Sequence, residues 1–195
     1  MTDSFEQISA HNEELARDIV ERASARGVTV STAESLTAGM IASTIADIPG
    51  ASAVLRGGAV TYCDEIKHRV LGVEQETLDR YTAVSHQTAR EMASGSLELY
   101  QSDIAVSATG YAGPGGGTED DPAGTFYIGW GHRFPHGGGC LTSTAGECRS
   151  WTLCAATMRA TVRVFVPMRS RRHWVALPLC STLWNRRVLR GLRAP

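Results

Sequence analysis

Two residues have types and settings suited to chemistry. Ser35 lies in the run Thr32-Ala33-Glu34-Ser35-Leu36-Thr37-Ala38-Gly39-Met40, between an apolar segment, Val28 to Val30, and apolar residues at helical spacing from Met40 to Ile48. A strand-to-helix turn there sets a hydroxyl beside the free N–H groups of a first helical turn, which favour developing negative charge. Two readings stand side by side: Ser35 or Thr37 caps the helix, or Ser35 is a nucleophile beside a place for an oxyanion. The second residue is Lys67, the only lysine among 195 residues and 19 basic side chains. An ammonium can shed its proton when desolvated and a guanidinium cannot, so lysine in an arginine-rich chain points to a general base. The plain alternative is a solvated lysine on a short helix. Tyr62 precedes Lys67 by five residues, close enough to face the same pocket if the intervening turn closes tightly.

The elements that must position these groups alternate between helix and strand. Residues 4–26 read as an amphipathic helix with Ile8, Leu15, Ile19, Val20 and Ala23 on one side, ended by Gly27. The strand at Val28 and the Ser35 turn follow, then the Met40 helix, stopped by Pro49-Gly50. Ala53 to Tyr62 is extended with a glycine break, and Asp64 opens a short helix to Leu71. Glu74 to Tyr81 is another short helix. Ser85 is the N-cap of a longer one bearing Ala89, Met92, Ala93, Leu97 and Tyr100. Asp103 to Thr109 reads as a central strand whose end runs into Gly110-Tyr111-Ala112-Gly113-Pro114-Gly115-Gly116-Gly117. Such a loop brings backbone N–H groups close to anions; no GKS/T follows to make a P-loop, and a plain surface hairpin is the rival reading. Gly124 to Trp130 alternates as a strand. The alternation predicts an α/β fold, a three-layer α/β/α sandwich.

Four blocks occur in order: TAESLTAG (32–39), GGAVTYCDEIKHRVLGV (57–73), AVSHQTAREMASG (83–95) and SATGYAGPGGGTEDDPAGTFYIGW (107–130). Together they resemble the C-terminal domain family of the competence/damage-inducible protein CinA, over about residues 14–130. The resemblance implies a mixed central sheet and a nicotinamide-nucleotide amidohydrolase, converting nicotinamide mononucleotide to nicotinate mononucleotide and ammonia. It places the catalytic roles on Ser35, Tyr62 and Lys67. Substrate-binding roles fall on Thr37 and Gly39, with an oxyanion against the N–H groups from Thr37 to Gly39, and on Thr109, Gly113 and Gly116 on the nucleotide side. Leu36 stands where the family has a small polar residue or Cys, and Ala38-Gly39 where it has Gly-Gly. In this chemistry Lys67 takes the Ser35 proton, directly or through the Tyr62 hydroxyl, and no step requires a metal or other cofactor. The rival class is non-catalytic: a nucleotide-binding regulator, or a nucleic-acid binder acting through a basic tail.

Composition fits a globular domain, with 43% hydrophobic and 7% aromatic residues. There is no apolar run of about 20 residues and no signal-like N-terminus, so a cytoplasmic chain is expected, without a membrane partner. Five cysteines without a CxxC pair argue against a disulfide framework and a zinc site. A homo-oligomer is compatible with the sequence, and the expected ligand is a small nucleotide. The net charge of −1 hides a division: residues 1–130 hold 19 acids and 8 bases, whereas residues 131–195 hold 1 acid and 11 bases. Four of the five cysteines and three of the four tryptophans also lie in 131–195. We therefore expect a catalytic domain over 1–130 and an atypical tail over 131–195, read out of frame from near residues 131–135 and poorly ordered. The alternative is a basic segment that meets nucleic acid or anionic lipid through Arg169-Ser170-Arg171-Arg172 and Arg186-Arg187; this reading as a whole, nucleic acid included, is the less expected one.

Overall fold

The computed structural model describes residues 5–133 and 154–161. Helix α1, Phe5–Ser24, buries Ala16, Ile19, Val20 and Ala23 and is closed by Gly27 at φ 62°. Then come β1 (Val30–Glu34), α2 (Met40–Ala46), a single 3-10 turn at Ala51–Ala53 and β2 (Leu55–Val60). Helices α3 (Asp64–Leu71), α4 (Gln75–Tyr81) and α5 (His86–Tyr100) lead to β3 (Ile104–Gly110), β4 (Thr125–His132) and β5 (Cys154–Thr161). Ser85 caps α5 as expected, its hydroxyl accepting from the Thr88 N–H.

The strands form one mixed sheet in the order β2-β1-β3-β4-β5. β1 runs parallel to β2 and to β3, and β4 runs antiparallel to β3 and to β5. On one face α1 and α2 bury Ala16, Val20, Ala23 and Ile45 against Val30, Val54 and Ile104. On the other, α3, α4 and α5 bury Leu71, Leu78 and Met92 against Ala33 and Ala59. The chain is thus an α/β/α sandwich, and its three parallel strands end at one edge, where open α/β sheets bind ligands.

Two segments differ from the pattern read in the sequence. β1 does not stop at Val30 but runs on through Glu34, and all five of its residues are buried. Polar residues are tolerated there because β1 is flanked by strands on both sides and its side chains find partners. The Ser31 hydroxyl lies 2.8 Å from that of Ser96 and 2.7 Å from that of Ser102. The second difference is β5. It falls in the segment set apart by composition and expected to be poorly ordered, yet its backbone pairs with β4 from Thr125↔Thr161 to His132↔Cys154. β4 itself runs two residues past 130. What the sequence leads us to expect of residues 134–153 and 162–195 lies outside the described residues.

The approach of α3 to α5 depends on Gly95, where a Cβ would run into the Leu71 carbonyl. Backbone on both sides leaves little room to yield. Gly95→Ala is expected to cost about 1–3 kcal/mol despite the better helix propensity of alanine. Chemical denaturation checks this, and an unchanged or raised midpoint would show that the two helices can move apart.

Candidate active site

The site forms at the shared C-terminal edge of β1, β2 and β3. Backbone bonds hold the strand ends together: the Ser35 N–H donates to the Ala108 carbonyl at 2.9 Å, and the Thr61 N–H to the Glu34 carbonyl at 2.8 Å. Between β1 and α2 the chain turns tightly, with Ala38 at φ 50° and Gly39 at φ 95°. Alanine adopts a left-handed backbone only at a cost, so the surroundings must hold this turn.

Ser35 and Thr37 do not cap α2. Its N-cap is Gly39, which has no side chain to offer, and no acidic residue lies in the first turn. The cap comes from the preceding strand. Glu34, with no exposed surface, accepts from the N–H groups of Gly39 (3.0 Å), Ile41 (3.0 Å) and Ala42 (2.9 Å) and from the Thr32 hydroxyl (3.0 Å). With the cap supplied by Glu34, the Ser35 hydroxyl is left for another contact.

That contact is with Lys67. Its Nζ lies 3.2 Å from Ser35 Oγ and donates to the Tyr62 carbonyl at 3.3 Å. The Asp64 carboxylate is 3.8 Å away and largely exposed, whereas Lys67 is 1% exposed, so the solvated-lysine reading fails. Desolvation pushes the Lys67 pKa below the ordinary lysine value, and the charges of Asp64 and Cys63 push the other way without reversing the shift. An amine whose proton is held less tightly than an ordinary lysine's therefore touches a buried serine hydroxyl, an arrangement able to generate an oxygen nucleophile.

The other residues singled out from sequence are placed as follows. Tyr62 contributes its carbonyl, and its side chain is 72% exposed. Side chains alternate along extended chain: Thr61 is fully buried, so Tyr62 turns outward, and its hydroxyl does not bridge Ser35 and Lys67. Thr37 is buried, and its Oγ1 has no hydrogen-bond partner. The Gly39 N–H, expected to be free for an oxyanion, is engaged by Glu34. Among the described residues the N–H groups of Leu36 and Thr37 have no such partner. The Thr109 hydroxyl is engaged too, donating to the Ala83 carbonyl at 2.6 Å. Gly113 and Gly116 lie in the loop after β3 with φ of 80° and 84°, conformations that favour glycine. Glu34 was not singled out from sequence; the available signal was an acid inside a run of small residues directly before the candidate nucleophile. Among the described residues no three His, Cys, Asp or Glu side chains gather as metal ligands, and no helix is long and apolar enough to cross a membrane.

The family model of the CinA C-terminal domain matches residues 12–145, more than two thirds of the chain. The chain belongs to that family. The match extends the CinA C-terminal domain past residue 130, where the resemblance read from motifs had ended. Among its relatives are a CinA-like protein of Chloroherpeton thalassium, 52% identical over 115 residues, and one of Akkermansia muciniphila, 38% identical over 156 residues. These alignments cover 59% and 80% of this chain but only 27% and 35% of the relatives, so this CinA domain corresponds to about a third or less of their length. A solved competence/damage inducible protein, CihA of Agrobacterium tumefaciens, superposes with a TM-score of 0.62 at 45% identity, over 63% of this chain and 74% of that one. A CinA superfamily protein of Klebsiella pneumoniae 700603 gives 0.65 at 33% identity, over 77% and 82%.

The lowered pKa of Lys67 has a consequence for stability with a definite sign. Between the lowered native value and the ordinary value of 10.5, the unfolded chain holds a proton on this residue that the native protein lacks. Stability attributable to Lys67 therefore rises with pH across that window, and the penalty of burying the charge is fully present below it. Wild type measured against Lys67→Met is expected to gain stability as pH is raised toward 10.5. A stability difference independent of pH, followed by denaturant titration at several pH values, would contradict the lowered pKa.

Proposed function

We propose that this chain is a serine-lysine amidohydrolase acting on the carboxamide of nicotinamide mononucleotide, releasing ammonia and nicotinate mononucleotide. The observation that carries the reading is the 3.2 Å contact between Lys67 Nζ and Ser35 Oγ, both residues buried at the sheet edge. Family membership supports it, since the CinA C-terminal domain family is that of nicotinamide-nucleotide amidohydrolases.

The chemistry follows from the donor and acceptor set. Neutral Lys67 takes the Ser35 proton as Oγ attacks the carboxamide carbon. The tetrahedral oxyanion is met by the Leu36 and Thr37 N–H groups, with the unpartnered Thr37 hydroxyl as a further donor. Protonated Lys67 then gives its proton to the departing nitrogen, and ammonia leaves with formation of an acyl-enzyme. Neutral again, Lys67 activates a water to free the acid. Substrate pyridinium withdraws electrons from the carbonyl throughout. Tyr62, exposed at the mouth, contacts the bound nucleotide instead of relaying the proton. Gly113 and Gly116 present loop backbone to its phosphate side, and Thr109 acts on the site through its hold on Ala83.

Ammonia release from nicotinamide mononucleotide by the purified chain tests the reading. Ser35→Ala is expected to fold, to bind the substrate and to lose activity by about 10³-fold or more. Binding of the mononucleotide without ammonia release by wild type would instead mark a nucleotide-binding regulator. Lys67→Arg is expected to be as inactive as Lys67→Ala, since it keeps the charge but cannot act as a base. Wild-type activity is expected to rise with pH through the lowered Lys67 pKa. An arginine variant with near wild-type turnover would reduce Lys67 to a fixed positive charge.

A further inference from the structure

We propose that Glu34 is the positioning residue of the nucleophile turn, fixing Ser35 toward Lys67 and reserving the Leu36 and Thr37 N–H groups for the oxyanion. The inference rests on the amidohydrolase reading of the same site. Glu34 does not touch Ser35 Oγ, Lys67 Nζ or the space between them; its four bonds go to Thr32, Gly39, Ile41 and Ala42. They tie the end of β1 to the start of α2 and span the turn that carries Ser35 to Ala38.

Three observations make this more than a helix cap. α2 has only seven residues and no cap of its own, so propensity alone does not set where its first turn begins. The turn also holds Ala38 at positive φ, a conformation that relaxes unless both its ends are fixed. Finally, Glu34 engages the N–H groups at the start of α2, while those of Leu36 and Thr37, earlier in the turn, have no partner among the described residues. The carboxylate thus sorts the donors of one short segment into a structural set and a set left for chemistry. A carboxylate is needed because all four partners donate. Glutamine would set an NH2 group against this ring: even turned toward Thr32, whose hydroxyl can rotate to accept, it leaves the Ala42 N–H facing a donor, and turned the other way it faces the N–H groups of both Gly39 and Ile41.

The test uses Glu34→Gln with three readouts: kcat and KM for ammonia release from nicotinamide mononucleotide, and the rate at which a sulfonyl fluoride labels Ser35. For a folded Glu34→Gln protein we expect kcat to fall about 100-fold, the scale set by a misplacement of about 1 Å, with KM within about threefold of wild type. Labelling should slow with kcat. A folded variant with kcat within about threefold of wild type overturns the proposal, as does a raised KM with kcat retained. Where Glu34→Gln fails to fold, Thr32→Val decides: it removes one donor to Glu34 at constant volume, and a fall of about tenfold in kcat and in labelling is expected. Unchanged rates in Thr32→Val overturn the proposal. Wild type that labels at Ser35 without releasing ammonia refutes the amidohydrolase reading alone, and the labelling comparison still judges Glu34.

Discussion

A lysine ammonium closed off from water is held by acceptors or gives up its proton, and the site depends on how that choice is set. Lys67 has three protons to place when charged, yet it meets one carbonyl, one hydroxyl and one distant, exposed carboxylate. Desolvation outweighs the pull of Asp64. The fold maintains that imbalance by placing α3 directly after β2, so that its first turn carries Lys67 beneath the chain end while Asp64 turns to solvent. Parallel pairing of β1 with β2 brings residues 32 positions apart to the same edge. Neither strand carries the chemistry itself; each ends where its successor must begin.

Glu34 and Lys67 show two outcomes for a buried ionisable group at one sheet edge. Glu34 meets four donors and is matched on both oxygens. Lys67 is under-supplied. A matched carboxylate stiffens its surroundings, and an under-supplied amine is reactive. Close packing keeps both environments dry. Gly58 contributes, since a Cβ there would meet the Thr32 hydroxyl and the Ala42 side chain, two groups next to the carboxylate of Glu34.

Much of this was legible in the sequence. The helix-strand alternation predicted the three layers because each apolar period is long enough to read. Lys67 was legible because it breaks the arginine habit of the chain, and Ser35 because a polar turn interrupts two apolar segments. Other features were hidden for physical reasons. The spacing of Tyr62 and Lys67 reports that their backbones are near, not which way a ring points, so spacing left open a route through the phenol beside the direct Ser35–Lys67 contact, and it is the Tyr62 carbonyl that meets Lys67. Thr32 and Glu34 read as part of the polar turn and not as strand because nothing local says that two flanking strands will bury them. The tertiary cap was invisible for the same reason: capping signals are sought at the N-cap itself, and here that residue is glycine. β5 was masked by its setting, because a pairing that uses backbone groups can form in a segment whose composition suggests no period.

The site also has a polarity that suits the proposed substrate. Its floor is buried: Ser35, Thr37 and Lys67 each have less than a tenth of their surface exposed. Its rim is open, with the exposed Tyr62 and Cys63 after β2 and the glycine-rich loop after β3. A carboxamide is small, neutral and able to shed its water at modest cost, whereas a phosphate is not. The end of the molecule to be cleaved therefore belongs on the dry floor, beside a base that works only when desolvated, and the charged end belongs at the rim, where water and backbone N–H groups solvate it. Inverting the orientation would place a dianion beside Lys67, raise the lysine pKa and lock the base in its protonated form. On the proposed function, the same desolvation that would make Lys67 a base would also select which end of the nucleotide enters.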